Sequence, residues 1–234
     1  MRYLALATDY DGTLASHGAV EPETIEALRR LAAMGRKLIL VTGRRVDDLI
    51  RVFPEVAIFD RVVAENGPLV YRPQSRETRV LAKPPPAAFV EELQRRGVQP
   101  LTAGQVFVAT EQPNEGLVLD VIAELGLDLQ VILNKGSVMV LPASVDKATG
   151  LSAALEELGI SPDDVVGIGD AENDESFLAM CGLGVAVANA LDSLKARADQ
   201  VTRGESGEGV RELIEWLIAR PNNAEAEHDA RPLC

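Results

Sequence analysis

The sequence predicts an α/β fold, a Rossmann-like, doubly wound and mainly parallel sheet into which a small α+β domain is inserted. Three continuously apolar segments, residues 3–8, 37–41 and 165–168, predict buried strands. Strands that are covered on both faces lack the apolar and polar alternation of half-exposed strands. A helix is predicted over residues 22–34, where Gly35 ends it. Strand, helix and strand in this order predict a right-handed βαβ unit.

A middle segment differs in its pattern from the rest of the chain. Three consecutive prolines at 84–86 precede it. Short helices are then predicted near residues 89–93 and 117–125, and strands at 106–109, 129–133 and 138–141. The last two strands flank Asn134-Lys135-Gly136-Ser137, which is typical of a hairpin turn. We therefore predict a discontinuous core domain of residues 1–81 and 146–220, an inserted domain of residues 82–145 and a disordered tail of residues 221–234.

Composition excludes several classes of partner. The formal net charge of -13 over 234 residues disfavours binding to nucleic acid or to an anionic membrane surface. No apolar run approaches the roughly 20 residues that span a bilayer. With two cysteines, the chain carries no disulfide framework. These features predict a cytoplasmic protein that binds neither nucleic acid nor membrane, although a bound metal ion could still attract a small anionic substrate.

Four carboxylates follow two of the predicted strands. Asp9 and Asp11 come after the first strand, and Asp170 and Asp174 come after the strand at 165–168. Parallel sheets bind ligands outside the carboxyl ends of their strands, so these side chains are expected to share one crevice. Carboxylates crowded together repel one another unless a cation lies between them. Oxygen ligands suit Mg²⁺, and the absence of a His or Cys cluster from the sequence makes zinc improbable.

Other polar residues are weaker candidates. Thr42-Gly43-Arg44 follows the second strand and could hold a phosphoryl oxygen, although the same residues are compatible with a helix start. Lys147 could offset developing phosphoryl charge, or it could be a solvent-exposed lysine. Asn66 could contact a substrate, or it could simply form a turn. Each acidic residue, taken alone, could equally be a loop residue or a helix cap.

Taken in order, these motifs resemble the haloacid dehalogenase (HAD) superfamily, and specifically its Cof-like, type IIB subgroup with an inserted cap. Asp9-Tyr10-Asp11-Gly12-Thr13 resembles the first motif, Thr42-Gly43-Arg44 the second, Lys147 the third and the segment 169–174 the fourth. The first and fourth motifs are specific, whereas the second and third are informative through their positions. Size and layout are most similar to small phosphoglycolate-phosphatase-type members.

This resemblance implies a Mg²⁺-dependent phosphatase. It implies that Asp9 is the nucleophile and forms an aspartyl-phosphate, and that Asp11 is the acid and base. Thr42 and Lys147 would hold phosphoryl oxygens. The implied metal site comprises Asp9, the backbone carbonyl of Asp11, Asp170 and Asp174, and the implied substrate contacts are Gly43, Arg44, Asn66 and Asn173.

The resemblance leaves the substrate and two other functions open. The substrate would be a small phosphorylated metabolite, either phosphoglycolate or a sugar phosphate or phosphoglycerate derivative. A phosphomutase would use the same nucleophile, and a non-catalytic binding or regulatory protein could use the same fold. The second acid, Asp11, argues against a pure binder. The chain is expected to be a monomer or a homodimer.

Overall fold

The computed structural model describes residues 3–134 and 136–220. The predicted tail, 221–234, and Lys135 of the predicted hairpin turn therefore lie outside the described residues. The strands are β1 (Ala5–Asp9), β2 (Lys37–Val41), β3 (Arg61–Ala64), β4 (Leu69–Arg72), β5 (Glu77–Val80), β6 (Thr102–Ala103), β7 (Val108–Glu111), β8 (Leu129–Asn134), β9 (Ser137–Pro142), β10 (Val165–Gly169), β11 (Leu183–Ala186) and β12 (Gln200–Val201). The helices are α1 (Pro22–Ala33), α2 (Val46–Val52), α3 (Ala87–Arg95), α4 (Glu115–Glu124), α5 (Lys147–Leu158), α6 (Glu175–Met180), α7 (Asp192–Lys195) and α8 (Ser206–Ile218).

Eight strands form the larger sheet, in the order β12-β11-β10-β1-β2-β3-β4-β5. The pairs from β12 through β3 are parallel, whereas β4 and β5 are antiparallel additions at one edge. The side chains of β1 and β10 are buried along their whole length, as continuous apolarity predicts. The predicted α/β class with a mainly parallel sheet is confirmed.

The register of the central strands places their carboxyl ends side by side. Asp9 of β1 pairs with Val41 of β2, and Thr8 pairs with Ile168 of β10. The residues that follow β2 and β10 therefore lie beside Asp9 at one edge of the sheet. Helix α5 packs against β2, β3 and β4, and its first residue, Lys147, approaches this edge.

Four shorter strands form a separate antiparallel sheet, in the order β6-β7-β9-β8. Helices α3 and α4 pack against each other and share an apolar core with this sheet. Strand β9 divides its side chains between two faces, because alternate residues of a strand point in opposite directions. Val138 and Val140 face the helices, whereas Met139 and Leu141 join Phe107 in another cluster. All of these elements lie within residues 82–145, whose assignment as a separate domain stays a prediction.

The structure adds elements that local patterns do not predict. Helices α2 and α5 and strands β4 and β5 are not among the predicted elements. Helix α5 contains Gly150 and Thr149, which weaken a helical pattern, yet Asp146 caps its start. The strand predicted at 106–109 is displaced to Val108–Glu111, since the backbone N–H groups of Gln105 and Val106 bond to the side chain of Glu65.

Other predicted elements differ by one to three residues at their ends. The sequence also predicts a helix over residues 174–181. In the structure this helix begins at Glu175, because the Asp174 carboxylate accepts backbone hydrogen bonds from the preceding turn. The apolar pattern of residues 209–220 predicts a last helix, which in the structure starts at Ser206. Within residues 3–134 and 136–220, no helix combines the length and apolarity needed to cross a membrane.

Candidate active site

Three aspartates converge at the carboxyl edge of the large sheet. Asp9 ends β1, Asp170 follows β10, and Asp174 ends the short 3-10 helix Glu172–Asp174. All three are buried, and each contributes one carboxylate oxygen to a group whose members lie within 4.8 Å of one another. Such a cluster is costly without a positive charge, since buried like charges repel in a medium of low dielectric constant.

Lys147 supplies one positive charge directly. Its Nζ donates to Asp9 Oδ1 at 2.6 Å and to Asp174 Oδ1 at 2.5 Å, and the side chain is buried. Burial alone would lower the pKa of Lys147, but the charges of Asp174 and Asp9 raise it above its ordinary value. Lys147 is therefore an ammonium ion inside the site, and the alternative of a solvent-exposed lysine is wrong.

The start of α5 is fixed by contacts on two sides. Asp146 is the N-cap, and its Oδ1 accepts a hydrogen bond from the backbone N–H of Thr149 at 2.8 Å. On the other side, Gly67 adopts a φ of 126°, and an added Cβ would lie 1.9 Å from the carbonyl oxygen of Asp146. A side chain at Gly67 would displace the helix start that carries Lys147.

The other carboxylates of the cluster are held by hydrogen bonds. Asp174 Oδ2 accepts from the backbone N–H groups of Asp170 at 2.8 Å and Ala171 at 3.0 Å. Thr13 Oγ1 donates to Asp170 Oδ1 at 3.1 Å. Burial raises the pKa of Asp9 well above its ordinary value, and the charge of Asp174 raises it further, whereas Lys147 opposes both. Burial and Asp174 therefore disfavour the negative charge of Asp9, and Lys147 is the group that offsets them.

Asp11 has a different environment from Asp9, although only one residue separates them. Its Oδ2 accepts from Arg44 Nε at 2.6 Å and its Oδ1 accepts from a terminal nitrogen, NH2, of the same guanidinium at 2.7 Å. The other terminal nitrogen of Arg44, NH1, donates to Asp48 Oδ2 at 2.6 Å. These hydrogen bonds, led by those of Asp11, raise the pKa of Arg44 above its ordinary value. Arg44 is thus a partly buried cation shared by two carboxylates.

A small pocket of about 140 Å³, which we call the acidic pocket, joins these groups. Its lining residues come from the carboxyl edge of the large sheet and the segments that follow it, from the start of α5 and from strand β9. They are Asp9, Asp11, Gly43, Arg44, Ser137, Met139, Lys147, Asp170, Ala171 and Asn173. Drug-sized ligands usually occupy pockets of roughly 300–1,000 Å³. The acidic pocket therefore suits a group as small as a phosphoryl group, and a neighbouring pocket of about 630 Å³ shares Lys147 and Asn173 with it.

Two predicted site residues, Thr42 and Asn66, are buried next to residues that line the acidic pocket but do not line it themselves. Thr42 is buried outside the pocket lining, and its Oγ1 accepts a hydrogen bond from the backbone N–H of Arg44 at 3.1 Å. Asn66 is buried, and its Oδ1 accepts from Asn173 Nδ2 at 2.9 Å. The Asn66 Nδ2 lies 2.9 Å from Met139 Sδ on strand β9. Asn66 thus connects the fourth motif to the smaller sheet, which is more than a plain turn requires.

Glu65 makes a second connection to the smaller sheet. Its carboxylate oxygens accept from the backbone N–H groups of Gln105 at 2.8 Å and Val106 at 2.7 Å. Both Glu65 and Asn66 have positive φ angles, 58° and 62°. Such angles are uncommon outside glycine and persist where surrounding contacts enforce them. The turn after β3 therefore places the smaller sheet over the acidic pocket.

The sequence profile of the family described as haloacid dehalogenase-like hydrolase matches residues 6–112 and 123–214. The chain belongs to this family. The matched ranges include the four carboxylates, Arg44 and Lys147. The predicted membership of the HAD superfamily is confirmed.

Relatives of this HAD-like hydrolase match it over nearly their whole length. A phosphoglycolate phosphatase from Methanothermobacter thermautotrophicus is 32% identical over 217 residues, which cover 90% of this chain and 96% of the relative. A phosphoglycolate phosphatase from Methanopyrus kandleri is 33% identical over 227 residues, covering 90% and 95%. The predicted likeness to phosphoglycolate-phosphatase-type members and the predicted enzyme class, a HAD-type phosphatase, are confirmed.

The fold of the HAD-like hydrolase recurs in solved structures. A HAD/Cof-like hydrolase from Plasmodium vivax superposes with a TM-score of 0.81 at 21% identity, covering 92% of this chain and 95% of that chain. At this identity the likeness establishes the fold alone, and the fold agrees with the Cof-like resemblance.

Several residues of this HAD-like hydrolase that shape the site are not among the predicted site residues. Glu65, Asp48 and Asp146 each fix a neighbour of the acidic pocket through a hydrogen bond. Ser137 and Met139 line the pocket from β9. The alternation of β9 could have indicated that its odd-numbered residues face away from the helices of the smaller domain. Nothing in the sequence indicates which other element lies opposite that face.

The residues of the cluster fit a divalent metal ion. All of their donor atoms are carboxylate oxygens, which hard cations prefer. Four carboxylates, Asp9, Asp11, Asp170 and Asp174, accompany two cations, Lys147 and Arg44, so a divalent ion would balance these six groups. Asp174 already uses both oxygens in hydrogen bonds. This favours Asp9 and Asp170 as direct ligands and Asp174 as a support behind them.

Proposed function

We propose that this HAD-like hydrolase is a Mg²⁺-dependent phosphatase that hydrolyses phosphoglycolate, or a closely similar small phosphate monoester, through an aspartyl-phosphate on Asp9. The observation that carries the proposal is the acidic pocket itself. It brings together a buried carboxylate held by Lys147, a second carboxylate on the same strand end and a cluster suited to a divalent cation. These are the parts that phosphoryl transfer requires, since positioning and charge stabilisation dominate its catalysis.

In the first step, Asp9 attacks the phosphorus of the substrate. Because Lys147 donates to Oδ1, we assign the attack to Oδ2. A bond forms between Asp9 Oδ2 and phosphorus while the bond from phosphorus to the ester oxygen breaks. Asp11, a carboxylate held by Arg44 in the resting site, enters this step after it has taken a proton from water. It gives that proton to the departing ester oxygen, which leaves as an alcohol. The products of this step are the alcohol and the aspartyl-phosphate.

In the second step, water hydrolyses the aspartyl-phosphate. Asp11, now a carboxylate, takes a proton from the water as its oxygen bonds to phosphorus. The bond between phosphorus and Asp9 breaks, and inorganic phosphate leaves. Asp9 is again a carboxylate and Asp11 is again protonated, so one water is consumed per phosphate released.

Other residues stabilise the phosphoryl group and its counter-ion. Asp9, Asp170 and the backbone carbonyl of Asp11 would hold Mg²⁺, with Asp174 behind them. When bound, this ion supplies positive charge to the phosphoryl oxygens and to the cluster. Lys147 provides further positive charge at the same oxygens. Thr42 shapes the turn after β2, and Gly43 brings its backbone close to the pocket.

The proposed substrate follows from the relatives. The acidic pocket, of about 140 Å³, has room for a phosphoryl group, and a larger pocket of about 630 Å³ shares Lys147 and Asn173 with it. Two relatives more than 30% identical over nearly their whole length are phosphoglycolate phosphatases. Phosphoglycolate is therefore our first candidate, ahead of sugar phosphates. A cytoplasmic location and a monomeric or homodimeric state stay predictions.

The proposal is tested by replacing the nucleophile. Asp9→Asn should lower kcat with phosphoglycolate by at least about 10⁴-fold, because an amide oxygen cannot form the intermediate. Asp47→Asn is the matched control, since Asp47 is exposed and pairs with Arg45 outside the acidic pocket. Removal of Mg²⁺ with a chelator should abolish phosphate release, and added Mg²⁺ should restore it. Turnover by pure Asp9→Asn protein near the wild-type rate would refute the mechanism.

Measurement of phosphate release also distinguishes a phosphatase from the alternative function, a phosphomutase. A phosphatase releases inorganic phosphate continuously from phosphoglycolate. A phosphomutase would return the phosphoryl group to a sugar phosphate and would require an activating bisphosphate.

A further inference from the structure

We propose that Arg44 binds a carboxylate of the substrate, and that this carboxylate displaces Asp11 from the guanidinium and so frees Asp11 to reach the leaving oxygen. The inference rests on the proposed function and narrows its substrate class to phosphate monoesters of short hydroxy acids. The enzyme would prefer such substrates because their carboxylate takes the place of the Asp11 carboxylate on Arg44.

The first observation is that Arg44 holds Asp11 by both oxygens. Nε and NH2 form one edge of the guanidinium, and they donate to Oδ2 and Oδ1 of Asp11 at 2.6 and 2.7 Å. This parallel arrangement is the strongest contact between arginine and a carboxylate. While both oxygens accept hydrogen bonds from Arg44, both are occupied by the guanidinium, so neither can serve the ester oxygen of a substrate. Asp11 must therefore leave this contact during turnover.

The second observation is that Arg44 is anchored independently of Asp11. Its NH1 donates to Asp48 Oδ2 at 2.6 Å, and Asp48 lies on helix α2. Its Cζ lies 5.2 Å from the ring centroid of Tyr10, a distance suited to a cation–π contact. When Asp11 departs, these two contacts keep the guanidinium in place. The edge formed by Nε and NH2 then faces a new partner.

The third observation is the location of this exchange. Asp11 and Arg44 line the acidic pocket together with Asp9 and Lys147. A ligand whose phosphoryl group lies at Asp9 can therefore present a second group to Arg44. A carboxylate matches the guanidinium edge as Asp11 does, and it replaces one ion pair with an equivalent one. A hydroxyl group cannot make this replacement, because it carries no charge and offers a single oxygen.

The volume of the acidic pocket limits the length of such a substrate. Both the phosphoryl group and the carboxylate must lie within its volume of about 140 Å³, because Asp9 and Arg44 both line the pocket. One or two carbon atoms between the ester oxygen and the carboxylate fit this space. Phosphoglycolate, with one such carbon, is the simplest member of the class.

A pair of matched substrates tests the exchange. Phosphoglycolate and 2-hydroxyethyl phosphate differ only in a carboxylate or a hydroxymethyl group. With Mg²⁺ present, the wild-type enzyme should favour phosphoglycolate in kcat/KM by about 10- to 100-fold, the range that hydrogen bonds to charged groups supply. Part of this preference should appear in kcat, since the carboxylate also frees Asp11.

Variants of the two neighbouring arginines make the test specific. Arg44→Gln should reduce the preference to near one, and Arg44→Lys should retain a part of it, because lysine keeps the charge without the planar fork. Arg45→Gln is the matched control. Arg45 pairs with Asp47 and lies outside the acidic pocket, so this variant should keep the wild-type preference. Denaturant unfolding establishes whether each variant is folded. If Arg44→Gln does not fold, the preference of Arg44→Lys decides the test.

The possible failures differ from one another. If wild-type enzyme shows no preference, or if Arg44→Gln and Arg44→Lys lower both substrates equally and keep the preference, the exchange is wrong while the phosphatase proposal stands. If wild-type enzyme releases phosphate from neither substrate nor from p-nitrophenyl phosphate, the proposed function itself is wrong.

Discussion

Two regions of the site, one around Asp9 and the other around Asp11, place identical side chains in opposite environments. The side chain of Asp9 is 7% exposed and pairs with Lys147, which is buried beside Asp174. The side chain of Asp11 is 43% exposed and pairs with Arg44, which is itself 24% exposed. The pair of Lys147 and Asp9 is buried at the edge of the sheet, whereas the pair of Arg44 and Asp11 is partly exposed to solvent.

The difference matches the roles that we propose for the two residues. A nucleophile benefits from a fixed position, since small displacements of a reacting atom lower the rate sharply. An acid and base that serves two steps must move between partners. Burial raises the cost of separating Lys147 from Asp9, whereas solvent lowers the cost of separating Arg44 from Asp11. The buried pair of Lys147 and Asp9 is thus suited to keep Asp9 in a fixed position. The half-exposed pair of Arg44 and Asp11 is suited to exchange partners.

Breaking the buried pair should have the largest effect. Lys147→Met should lower kcat by about 10³-fold, because the phosphoryl oxygens lose a preorganised charge. It should also lower the free energy of unfolding by roughly 3–5 kcal/mol, since Asp9 and Asp174 are left buried without their cation. Mg²⁺ should recover part of this loss by binding the folded state. Steady-state kinetics and urea unfolding with and without Mg²⁺ measure the two effects.

Lys37→Met is the matched control for this variant. Lys37 pairs with Asp60 on the surface at 2.7 Å, and its side chain is 47% exposed. Its removal should change stability by no more than about 1 kcal/mol and should leave kcat unchanged. A Lys147→Met enzyme as stable as this control would show that the buried pair contributes little to the fold.

Loosening the half-exposed pair should have a smaller effect. Asp48→Asn removes the negative charge on helix α2 that holds Arg44 in place. The guanidinium should then be correctly oriented for the substrate carboxylate less often. We expect KM for phosphoglycolate to rise by a few-fold and the free energy of unfolding to fall by less than about 1 kcal/mol. Asp47→Asn, on the same helix turn, should leave KM unchanged. Equal KM values for the two variants would argue against the anchoring role of Asp48.

A carboxylate away from the site sharpens the comparison further. Glu157 of α5 is 9% exposed and accepts from Arg61 Nε at 2.8 Å and Arg72 Nε at 3.0 Å. The hydrogen bond from Arg72 leads the causes that lower the pKa of Glu157 to about 2. Glu157→Gln should leave kcat unchanged and lower the free energy of unfolding at pH 7 by about 2 kcal/mol. This result would show that a buried carboxylate paired with arginines can stabilise the fold without a role in catalysis.

The pH dependence of that loss has a definite sign. The folded-state pKa of Glu157 lies below the ordinary value of about 4.3, so its contribution to stability is present above pH 4.3. The contribution declines as the pH falls from about 4.3 towards 2. The difference in unfolding free energy between wild type and Glu157→Gln should therefore shrink in urea titrations between pH 5 and pH 3. A difference that stays constant over this range would contradict the ion-pair assignment.

The sequence by itself determined the sheet edge and the carboxylates on it. Continuous apolarity marks β1, β2 and β10, and the carboxyl ends of parallel strands must meet. These local patterns are therefore sufficient to place Asp9 and Asp170 together. The hairpin of β8 and β9 is equally predictable, because a glycine turn and two apolar runs are local features.

Only the tertiary structure decided which cation each carboxylate contacts. Lys147 is 138 residues from Asp9 in sequence and Arg44 is 33 residues from Asp11. No spacing rule connects them, and local patterns do not predict α5, the helix that carries Lys147. The positions of Ser137 and Met139 over the acidic pocket likewise depend on how the Glu65–Asn66 turn holds the smaller sheet. Local patterns fix where a strand ends, whereas long-range packing fixes what lies opposite that end.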